Sequence, residues 1–449
     1  MADQASILKD IFNAALRAVD PYFALLKVAS IERNCLHVGS EIYDLKTYKR
    51  IAVIGAGKAT ARMALAIENL LGDRISSGLV IVKTGHSIPL NIIRLIEAAH
   101  PVPDQAGISG TQEIINMARL ANEETLLICL LSGGASALLV APADSVSLAD
   151  KQEATSMLLK AGATITELNT VRKHLSAIKG GKLAQAAYPS TMVTFILSDA
   201  IGDQLDVIAS GPTVPDKSSF ADAWNVIQKY QLQNKVSGQV REHLQQEMEV
   251  QLSASYGQKK VGFSGAQNII IGSNRLALDA AREKSQQLGI RTEIIKTDLQ
   301  GEARDAARYL AQIARTRLQT MLPDEIVCLL SGGETTVTVC GTGTGGRNQE
   351  LALAFALEVE GIKGVSLLSA GTDGGDGSGD AAGAIVSGDT SKLARQCAIE
   401  PRLYLDNNDS YHFFKNLDEC QPEKHQLSTG QTGTNVMDVQ IMLLEKSGG

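Results

Sequence analysis

The stretch Val53-Ile54-Gly55-Ala56-Gly57-Lys58-Ala59-Thr60 has the layout of a buried strand, a glycine turn and the start of a helix. In this layout, backbone N–H groups and the N-terminus of the helix can hold an anion such as a phosphate. The apolar run Ile51–Ile54 before the turn lacks polar alternation, which is typical of a strand covered on both faces. The stretch therefore predicts a parallel sheet flanked by helices, with an anion site where its strand ends.

The glycine turn differs from two common nucleotide-binding loops. Thr60 occupies the third small position of the dinucleotide fingerprint, and the next predicted strand ends in Lys83-Thr84 without an acidic residue for a ribose. It is not a Walker A loop either. Lys58 lies at a helix N-terminus, where the helix dipole disfavours a cation unless an anionic ligand offsets the repulsion. We therefore predict that Gly55, Gly57 and Lys58 bind phosphate; the alternative is a glycine turn with a solvent-facing lysine.

Composition indicates a globular α/β protein of two domains. The chain has 449 residues, of which 44% are hydrophobic and 20% charged, enough apolar area for more than one core. Its net charge of −7 is spread without a basic stripe, which favours a small molecule as partner and argues against a nucleic acid or a membrane. The six cysteines lie far apart, and the first twenty residues lack the apolar stretch of a signal peptide or membrane span. We expect reduced cysteines and a cytosolic location; oligomeric state is not predicted.

Short apolar runs alternate with helical patterns along the chain, which indicates an α/β fold. A polar, glutamine-rich segment at residues 221–260 reads as a helix plus a connection, and it predicts a Rossmann-like domain at 1–235 and a smaller α/β domain at 236–449. In the second domain, strands are expected from Asn268–Ile271 onwards. Thr335–Val339 follows Ile326–Leu330 after a short turn, which predicts a hairpin and a mixed sheet.

One six-residue word occurs twice, as Cys129-Leu-Leu-Ser-Gly-Gly134 and as Cys328-Leu-Leu-Ser-Gly-Gly333. In both copies an apolar strand is predicted to run into a Ser-Gly-Gly turn whose N–H and O–H donors would face a carboxylate or phosphate. One alternative is that a common strand-turn motif occurs twice by coincidence. The other is that the glycines merely close a turn and bind nothing. The predicted binding residues are Ser132, Gly133, Gly134, Ser136, Ser331, Gly332 and Gly333.

Two further segments of the first half carry charged side chains. Five potential cations lie between Arg172 and Lys182; Arg172 is a candidate for binding the substrate, although a charge run of this kind also suits a solvated face. Asp199 follows the apolar run Val193–Leu197, at the strand end where open α/β sheets place their sites. It would take Mg²⁺ or a substrate hydroxyl proton, unless it only caps a helix.

Glycines also surround charged residues in the second half. The tract Gly341-Thr-Gly-Thr-Gly-Gly346 leads into Arg347 and is predicted to be a mobile loop that presents this guanidinium to a phosphate. The alternative is a flexible turn with a surface arginine. Asp373 and Asp376 lie in a glycine-rich loop after another strand and are candidate Mg²⁺ ligands, with Asp373 also a candidate for substrate binding; a metal-free Gly-Asp turn is the alternative.

Taken together, these motifs resemble the glycerate 2-kinase family, the class II glycerate kinases with a C-terminal MOFRL domain. The resemblance covers nearly the whole chain and includes Ala99-His-Pro-Val-Pro-Asp104, Leu168-Asn-Thr-Val-Arg-Lys173 and Thr432-Gly-Thr-Asn-Val-Met-Asp438 besides the motifs above. It implies ATP- and Mg²⁺-dependent phosphorylation of D-glycerate at the 2-hydroxyl, giving 2-phosphoglycerate, in a cleft between the two domains.

The resemblance also implies catalytic roles for Lys58 and Arg347, which match the lysine and arginine implicated in that family. Asp199 or Asp373 would orient the 2-hydroxyl or bind the metal. Two rival functions remain: an NAD(P)-dependent hydroxypyruvate reductase, a name often given to members of this family, and a non-catalytic sensor of a nucleotide or sugar acid.

Overall fold

The computed structural model describes residues 2–254 and 266–447. Contacts divide the chain into two compact units. The N-terminal unit comprises Ala24–Ser198 and Asp203–Ile271, and the C-terminal unit comprises Met1–Phe23, Asp199–Gly202 and Gly272–Gly449. No described helix combines the length and apolar character that crossing a membrane requires.

The N-terminal unit is built on a six-stranded sheet with the order β6-β5-β4-β7-β8-β9. The five neighbouring strands from β6 to β8 in this order pair in parallel. Its central strands β4 and β7 are almost entirely buried, as their uninterrupted apolar runs predict. The strands are β4 (Arg50–Ala56), β5 (Ser77–Lys83), β6 (Arg94–Ala98), β7 (Thr125–Leu131), β8 (Thr191–Leu197) and β9 (Gln267–Gly272).

Helices and a small antiparallel sheet complete this unit. The small sheet consists of β1 (Ala29–Glu32), β2 (Cys35–Val38) and β3 (Glu41–Asp44). The helices in order are α2 (Pro21–Val28), α3 (Thr60–Leu71), α4 (Gln105–Arg119), α5 (Ala135–Leu138), α6 (Leu148–Lys160), α7 (Ile165–His174), α8 (Lys182–Ala187), α9 (Phe220–Lys229) and α10 (Gly238–Ala254). The first three residues of α2 are grouped with the C-terminal unit.

The C-terminal unit contains a mixed sheet with the order β10-β11-β15-β12-β13-β14. β10 and β11 are parallel, whereas β15 runs antiparallel to both β11 and β12. The mixed character was predicted and is confirmed. The strands are β10 (Arg291–Leu299), β11 (Ile326–Gly333), β12 (Val365–Gly371), β13 (Gly383–Ser387), β14 (Gln426–Leu427) and β15 (Asp438–Glu445).

Helices pack against this mixed sheet around a core that includes Phe355, Phe413 and Phe414. The N-terminal helix of the chain belongs to this unit and contacts α11, β12 and β15. The helices are α1 (Ala2–Ala18), α11 (Asn274–Gln287), α12 (Ala303–Thr320), α13 (Arg347–Glu358), α14 (Thr390–Gln396), α15 (Pro401–Asp406) and α16 (Ser410–Cys420).

The compact units differ from the domain boundary predicted after residue 235. Gln267–Ile271, expected in the second domain, forms most of β9 and belongs to the first sheet, while α1 joins the C-terminal unit. The polar segment at 221–260 contains most of α9 and α10, and its last residues lie outside the described ranges. A boundary placed by local polarity could not anticipate a strand that returns to the first sheet.

Two further predictions about local structure are wrong. Thr335–Val339 is not a strand; only Thr336 forms an isolated bridge, parallel to Glu302, and β15 occupies the place beside β11 that the hairpin required. Cys397 and Cys420 form a disulfide, so the expectation of reduced cysteines fails for this pair. Their separation of 23 residues hid the pairing, because it depends on how the helices between them pack.

Candidate active site

The two glycine loops of the N-terminal unit are interlocked. Lys58 N–H donates to the Gly133 carbonyl at 2.9 Å, and Ala59 N–H donates to Ser132 Oγ at 3.0 Å. Gly57 N–H donates to the Ile81 carbonyl at 3.0 Å. These backbone donors, which the sequence assigned to phosphate, therefore hold neighbouring segments together. Contact of Gly55, Ser132 or Gly133 with a ligand stays a prediction.

The close approach of Ser132 to the backbone at position 57 explains why this residue is glycine. Its φ is +149°, and a Cβ there would lie 2.1 Å from Ser132 Oγ, too close for any other residue to fit without moving the neighbouring loop. The consequence is a compact support that fixes the backbone of Lys58. The backbone N–H groups of residues 57–59 are thus committed to protein oxygens, and contact of the Lys58 side chain with an anion stays a prediction.

The Lys58 side chain lies in a cationic neighbourhood. A Cβ added at Gly134 would be 3.2 Å from Lys58 Cγ and 3.1 Å from His100 Cδ2, so these three residues meet. His86 Nδ1 lies 3.1 Å from the Lys58 carbonyl oxygen. Burial, followed by the charges of Lys58 and Lys83, lowers the pKa of His100 to about 4. Two lysines and a neutral imidazole therefore create a positive potential suited to an anion.

Sequence reasoning did not single out Lys83, His86 or His100 as site residues. A usable signal was present, because β5 and β6 run parallel to β4 and bring their carboxyl ends to the same edge of the sheet. Residues that follow β5 and β6 could have been expected near the Gly55–Lys58 loop for this reason.

Ser136 belongs to a second polar cluster in the N-terminal unit. Its Oγ lies 3.3 Å from Ser210 Oγ, and Ser210 Oγ donates to Asn169 Oδ1 at 3.4 Å. Ser210 has φ +60° and its neighbour Ala209 has φ +53°, a conformation that costs energy in residues other than glycine. Lys179 is 1% exposed and donates to the carbonyls of Ser136 and Ala209 at 3.2 and 3.1 Å.

The cations between Arg172 and Lys182 do not form a solvated face. Lys173 is 6% exposed and lies 3.4 Å from Asp206 and 3.5 Å from Asp216. Arg172 is half-buried, and burial lowers its pKa. Burying cationic side chains is costly unless something compensates them, so the alternative of a solvated charge run is wrong and Arg172 stays a candidate for substrate binding.

Asp199 lies two residues after Leu197, the last residue of β8, as the sequence predicts. It is half-buried and belongs to the short segment Asp199–Gly202 of the C-terminal unit. The carboxyl end of a parallel strand is a suitable place for a functional carboxylate. Its catalytic role stays a prediction.

Arg347 is the first residue of α13 and its guanidinium is held by two carboxylates. Nε and Nη2 donate to the two oxygens of Asp438 at 2.6 and 2.9 Å, and Nη1 lies 2.7 Å from Glu334 Oε1. Asp438 is fully buried, and burial raises its pKa to about 6, which leaves it ionised at neutral pH. These contacts raise the pKa of Arg347 despite its own burial, so the arginine is charged and fixed in orientation.

The glycine tract before Arg347 is anchored, contrary to the prediction of a mobile loop. Asn408 Oδ1 accepts from the N–H groups of Cys340 and Gly341 at 2.8 and 3.0 Å, and Asp409 Oδ1 accepts from Thr344 N–H at 2.8 Å. A Cβ at Gly341 would lie 2.2 Å from the Asn407 carbonyl oxygen. The glycines are therefore required for close packing against the segment before α16.

The two predicted metal ligands have different surroundings. Asp376 is 2% exposed, and its oxygens accept from the backbone N–H groups of Asn348 and Gln349 at 2.9 and 2.8 Å and from both side-chain amides. It therefore caps the start of α13, and its lone pairs are committed there. Asp373 accepts from Gly375 N–H at 3.1 Å and lines a cavity of about 510 Å³ together with Thr335 and Arg347.

Across residues 2–254 and 266–447, no group of three or more His, Cys, Asp or Glu side chains is arranged to hold a metal. A second cavity of the C-terminal unit, about 930 Å³ and lined by residues of α1 and α16, contains none of the predicted site residues. Of these two cavities, the one beside Arg347 is the one that predicted site residues line.

The second Ser-Gly-Gly copy is part of a strand. Ser331, Gly332 and Gly333 end β11 and pair with Gln440, Val439 and Asp438 of β15. Ser331 Oγ donates to Gln440 Oε1 at 3.2 Å. Ligand binding by this copy stays a prediction, but its structural role is in the sheet.

Comparison with known proteins gives the family. Residues 7–245 match a domain of unknown function, DUF4147, and residues 327–438 match the MOFRL family. A D-glycerate 2-kinase of Thermotoga maritima is 43% identical over 88% of this chain and 91% of its own. A protein of Agrobacterium vitis named as a putative hydroxypyruvate reductase is 41% identical over 88% of this chain and 99% of its own.

The solved structures agree with this assignment. A crystal structure of glycerate kinase from Thermotoga maritima superposes with a TM-score of 0.86 at 39% identity, covering 99% of this chain and 100% of the other. The fold thus combines a parallel α/β unit with a mixed α/β unit. The chain belongs to the glycerate 2-kinase family, with its DUF4147 and MOFRL parts.

Proposed function

We infer that this protein is a glycerate 2-kinase, which transfers the γ-phosphoryl group of ATP to the 2-hydroxyl of D-glycerate and releases ADP and 2-phosphoglycerate. The observation that carries the inference is the match along nearly the whole chain to a glycerate kinase structure and to a D-glycerate 2-kinase. The charged groups of both units suit this chemistry, because phosphoryl transfer depends on positioning and on charge stabilisation.

Lys58 is the proposed electrostatic contact of the N-terminal unit with the transferred phosphoryl group. Its backbone is fixed by Gly133 and by the contacts of Gly57 and Ala59. With Lys83 nearby and His100 neutral, the positive charge is available to an anionic ligand. Such a preorganised cation costs little reorganisation during the reaction.

Arg347 is the proposed contact of the C-terminal unit. Asp438 holds the guanidinium of Arg347 through two hydrogen bonds. Arg347 lines the cavity that Thr335 and Asp373 also line. A planar guanidinium with a fixed orientation suits phosphate oxygens. Asp199 is proposed to orient or deprotonate the 2-hydroxyl of glycerate.

Mg²⁺ is proposed as the companion of ATP. Asp373 suits one ligand position, since Mg²⁺ is commonly bound by one or two carboxylates plus phosphates and water; the metal would neutralise phosphate charge. Asp376 does not suit this role because both its oxygens are occupied by the N-terminus of α13. Of these two aspartates, Asp373 alone is therefore proposed as a metal ligand.

The rival function is reduction of hydroxypyruvate with NAD(P)H, suggested by the name of the Agrobacterium vitis relative. Against it, the N–H groups of residues 57–59, which would face a pyrophosphate in a dinucleotide site, donate to protein oxygens instead. The test is to supply purified protein with D-glycerate and MgATP, and separately with hydroxypyruvate and NADH or NADPH. ADP release in the first assay with constant nicotinamide absorbance in the second supports the kinase; the reverse pair of results refutes it.

A further inference from the structure

Lys151 occupies a core position of a helix. It shares the inward face of α6 with Ala154 and Leu158, three and seven residues further on, and both of these belong to the apolar core between α6, α7, α9 and α10. The side chain is 7% exposed. Within the described residues its amino nitrogen has no hydrogen-bond partner, which is unusual because a buried ammonium group normally requires one.

The charges that act on Lys151 have the same sign as its own. Arg172 and Lys182 act on Lys151, and Arg172 and Lys151 in turn act on the buried Lys179. Burial, and after it this repulsion, lowers the pKa of Lys151 to about 7. Such a cluster is costly to assemble unless an anion occupies it for part of the functional cycle.

Among the cations of this cluster, Lys182 has the carboxylates Asp216 and Glu247 acting on it. Asp206 and Asp216 lie beside Lys173, and neither Lys151, Arg172 nor Lys179 forms an ion pair within residues 2–254 and 266–447. Lys179 is linked through the Ser136 carbonyl to the cluster of Ser136 and Ser210 hydroxyls. Positive charge and hydroxyl groups thus lie in one part of the N-terminal unit.

We propose that Lys151 and Arg172 form the subsite that binds the carboxylate of the substrate, with Lys179 contributing positive charge beside them. The assignment of a carboxylate rests on the proposed function, in which glycerate is the acceptor. A small organic acid supplies one compact negative charge, and a buried cation bonded to it gains a charge-assisted hydrogen bond. Lys151 is thereby a specificity-determining residue that selects acids over neutral polyols.

The test compares Lys151→Met with Lys151→Arg and with the control Lys160→Met, which removes an exposed lysine from the same helix. We expect Lys151→Met to raise the KM for D-glycerate roughly 10- to 100-fold, with the KM for ATP unchanged. Lys151→Arg should restore part of the affinity, and Lys160→Met should behave like the wild type. The melting temperature of Lys151→Met should not fall, because a buried unpaired charge is removed.

A neutral analogue separates a binding role from a structural one. D-Glyceramide keeps the 2-hydroxyl but lacks the carboxylate, so the preference of the wild type for glycerate over glyceramide should shrink in Lys151→Met. An unchanged KM for glycerate, or an unchanged preference, overturns the proposal. A raised KM for ATP with normal glycerate kinetics also overturns it, because the cluster would then hold a phosphate.

Calorimetric titration distinguishes this proposal from the proposed function. If wild-type protein releases no ADP with glycerate and MgATP, the kinase function fails, and binding of D-glycerate alone then decides the subsite. Binding by the wild type that weakens in Lys151→Met supports the carboxylate subsite. Equal binding in both proteins, or none in the wild type, contradicts it.

Discussion

Lys58 and Arg347 are both cations beside the first turn of a helix, yet their surroundings are opposite. Arg347 is neutralised by Asp438 and Glu334, whereas Lys58 lies with Lys83 and a neutral His100. An anion therefore gains more from the charge near Lys58, while Arg347 offers a guanidinium whose orientation is already fixed. Both cations are proposed to contact the transferred phosphoryl group. Lys58 would contribute mainly its charge, and Arg347 mainly a fixed orientation of its guanidinium.

The largest expected effect is on turnover when either cation is removed. Lys58→Met and Arg347→Met should each lower kcat by roughly 10³-fold or more, the lower range of arginine-finger effects, with the fold intact by circular dichroism. The matched controls are Lys46→Met, an exposed lysine, and Arg304→Met. Arg304 pairs with Glu350 at 2.8 Å and is 32% exposed, close to the 33% of Arg347.

The controls distinguish a loss of catalysis from the general effect of removing a lysine or breaking an ion pair. Arg304→Met should lower the melting temperature without changing kcat per folded molecule. Near-normal turnover in both Lys58→Met and Arg347→Met would remove these residues from the mechanism.

Asp438→Asn tests whether geometry is what Arg347 contributes. The variant removes the buried charge that orients the guanidinium, so kcat should fall about 10- to 100-fold and unfolding free energy by about 3 kcal/mol. Steady-state kinetics and urea denaturation measure the two effects. Loss of stability with unchanged kcat would show that the orientation of Arg347 is not needed for turnover.

A smaller effect is expected from replacing the serines of the two Ser-Gly-Gly copies, and each serine serves as the control for the other. Ser132 and Ser331 are each 1% exposed, but Ser132 supports the Lys58 loop whereas Ser331 bonds to Gln440 within the sheet. Ser132→Ala should lower kcat several-fold, and both variants should lose about 1 kcal/mol of stability. If Ser331→Ala affects kcat as strongly as Ser132→Ala, the distinction between the copies fails.

The last expected effect concerns the pH dependence of stability and leaves turnover aside. Below pH 6.5 the unfolded chain protonates His100, while the folded protein does so only at about pH 4, so unfolding takes up a proton between these values. His100 therefore makes the wild type lose stability as pH falls through this window, by less than about 1.4 kcal/mol per pH unit. His100→Gln should lose stability less steeply in urea titrations between pH 6.5 and 4. Parallel curves for the two proteins would contradict the lowered pKa.

The sequence predicts the parallel sheet well because β4, β5, β7 and β8 are continuous apolar runs followed by turns. It fails where a distant segment decides the structure. The six-residue sequences Cys129–Gly134 and Cys328–Gly333 are identical. In the second, the β-strand continues to Gly333 because it pairs with β15, which follows about a hundred residues later. Local sequence does not contain that partner.

The prediction of site residues from local sequence also fails where distant segments decide the structure. Lys58 and Arg347 were identifiable because each is a cation beside glycines at a predicted helix start. Lys151 was missed because a single lysine on an amphipathic helix normally reaches solvent, and only packing against α7 and α10 shows that it is buried. The rigidity of the Gly341–Gly346 tract was missed because its anchors, Asn407 to Asp409, are more than sixty residues away.

The most direct measurement is the identity of the product formed from D-glycerate and MgATP, read by ³¹P NMR of the reaction mixture. We predict equal amounts of ADP and 2-phosphoglycerate with wild-type protein, and neither product with Lys58→Met or Arg347→Met on the same time scale. Formation of 3-phosphoglycerate, or consumption of NADH with hydroxypyruvate in place of ADP release, would contradict this prediction.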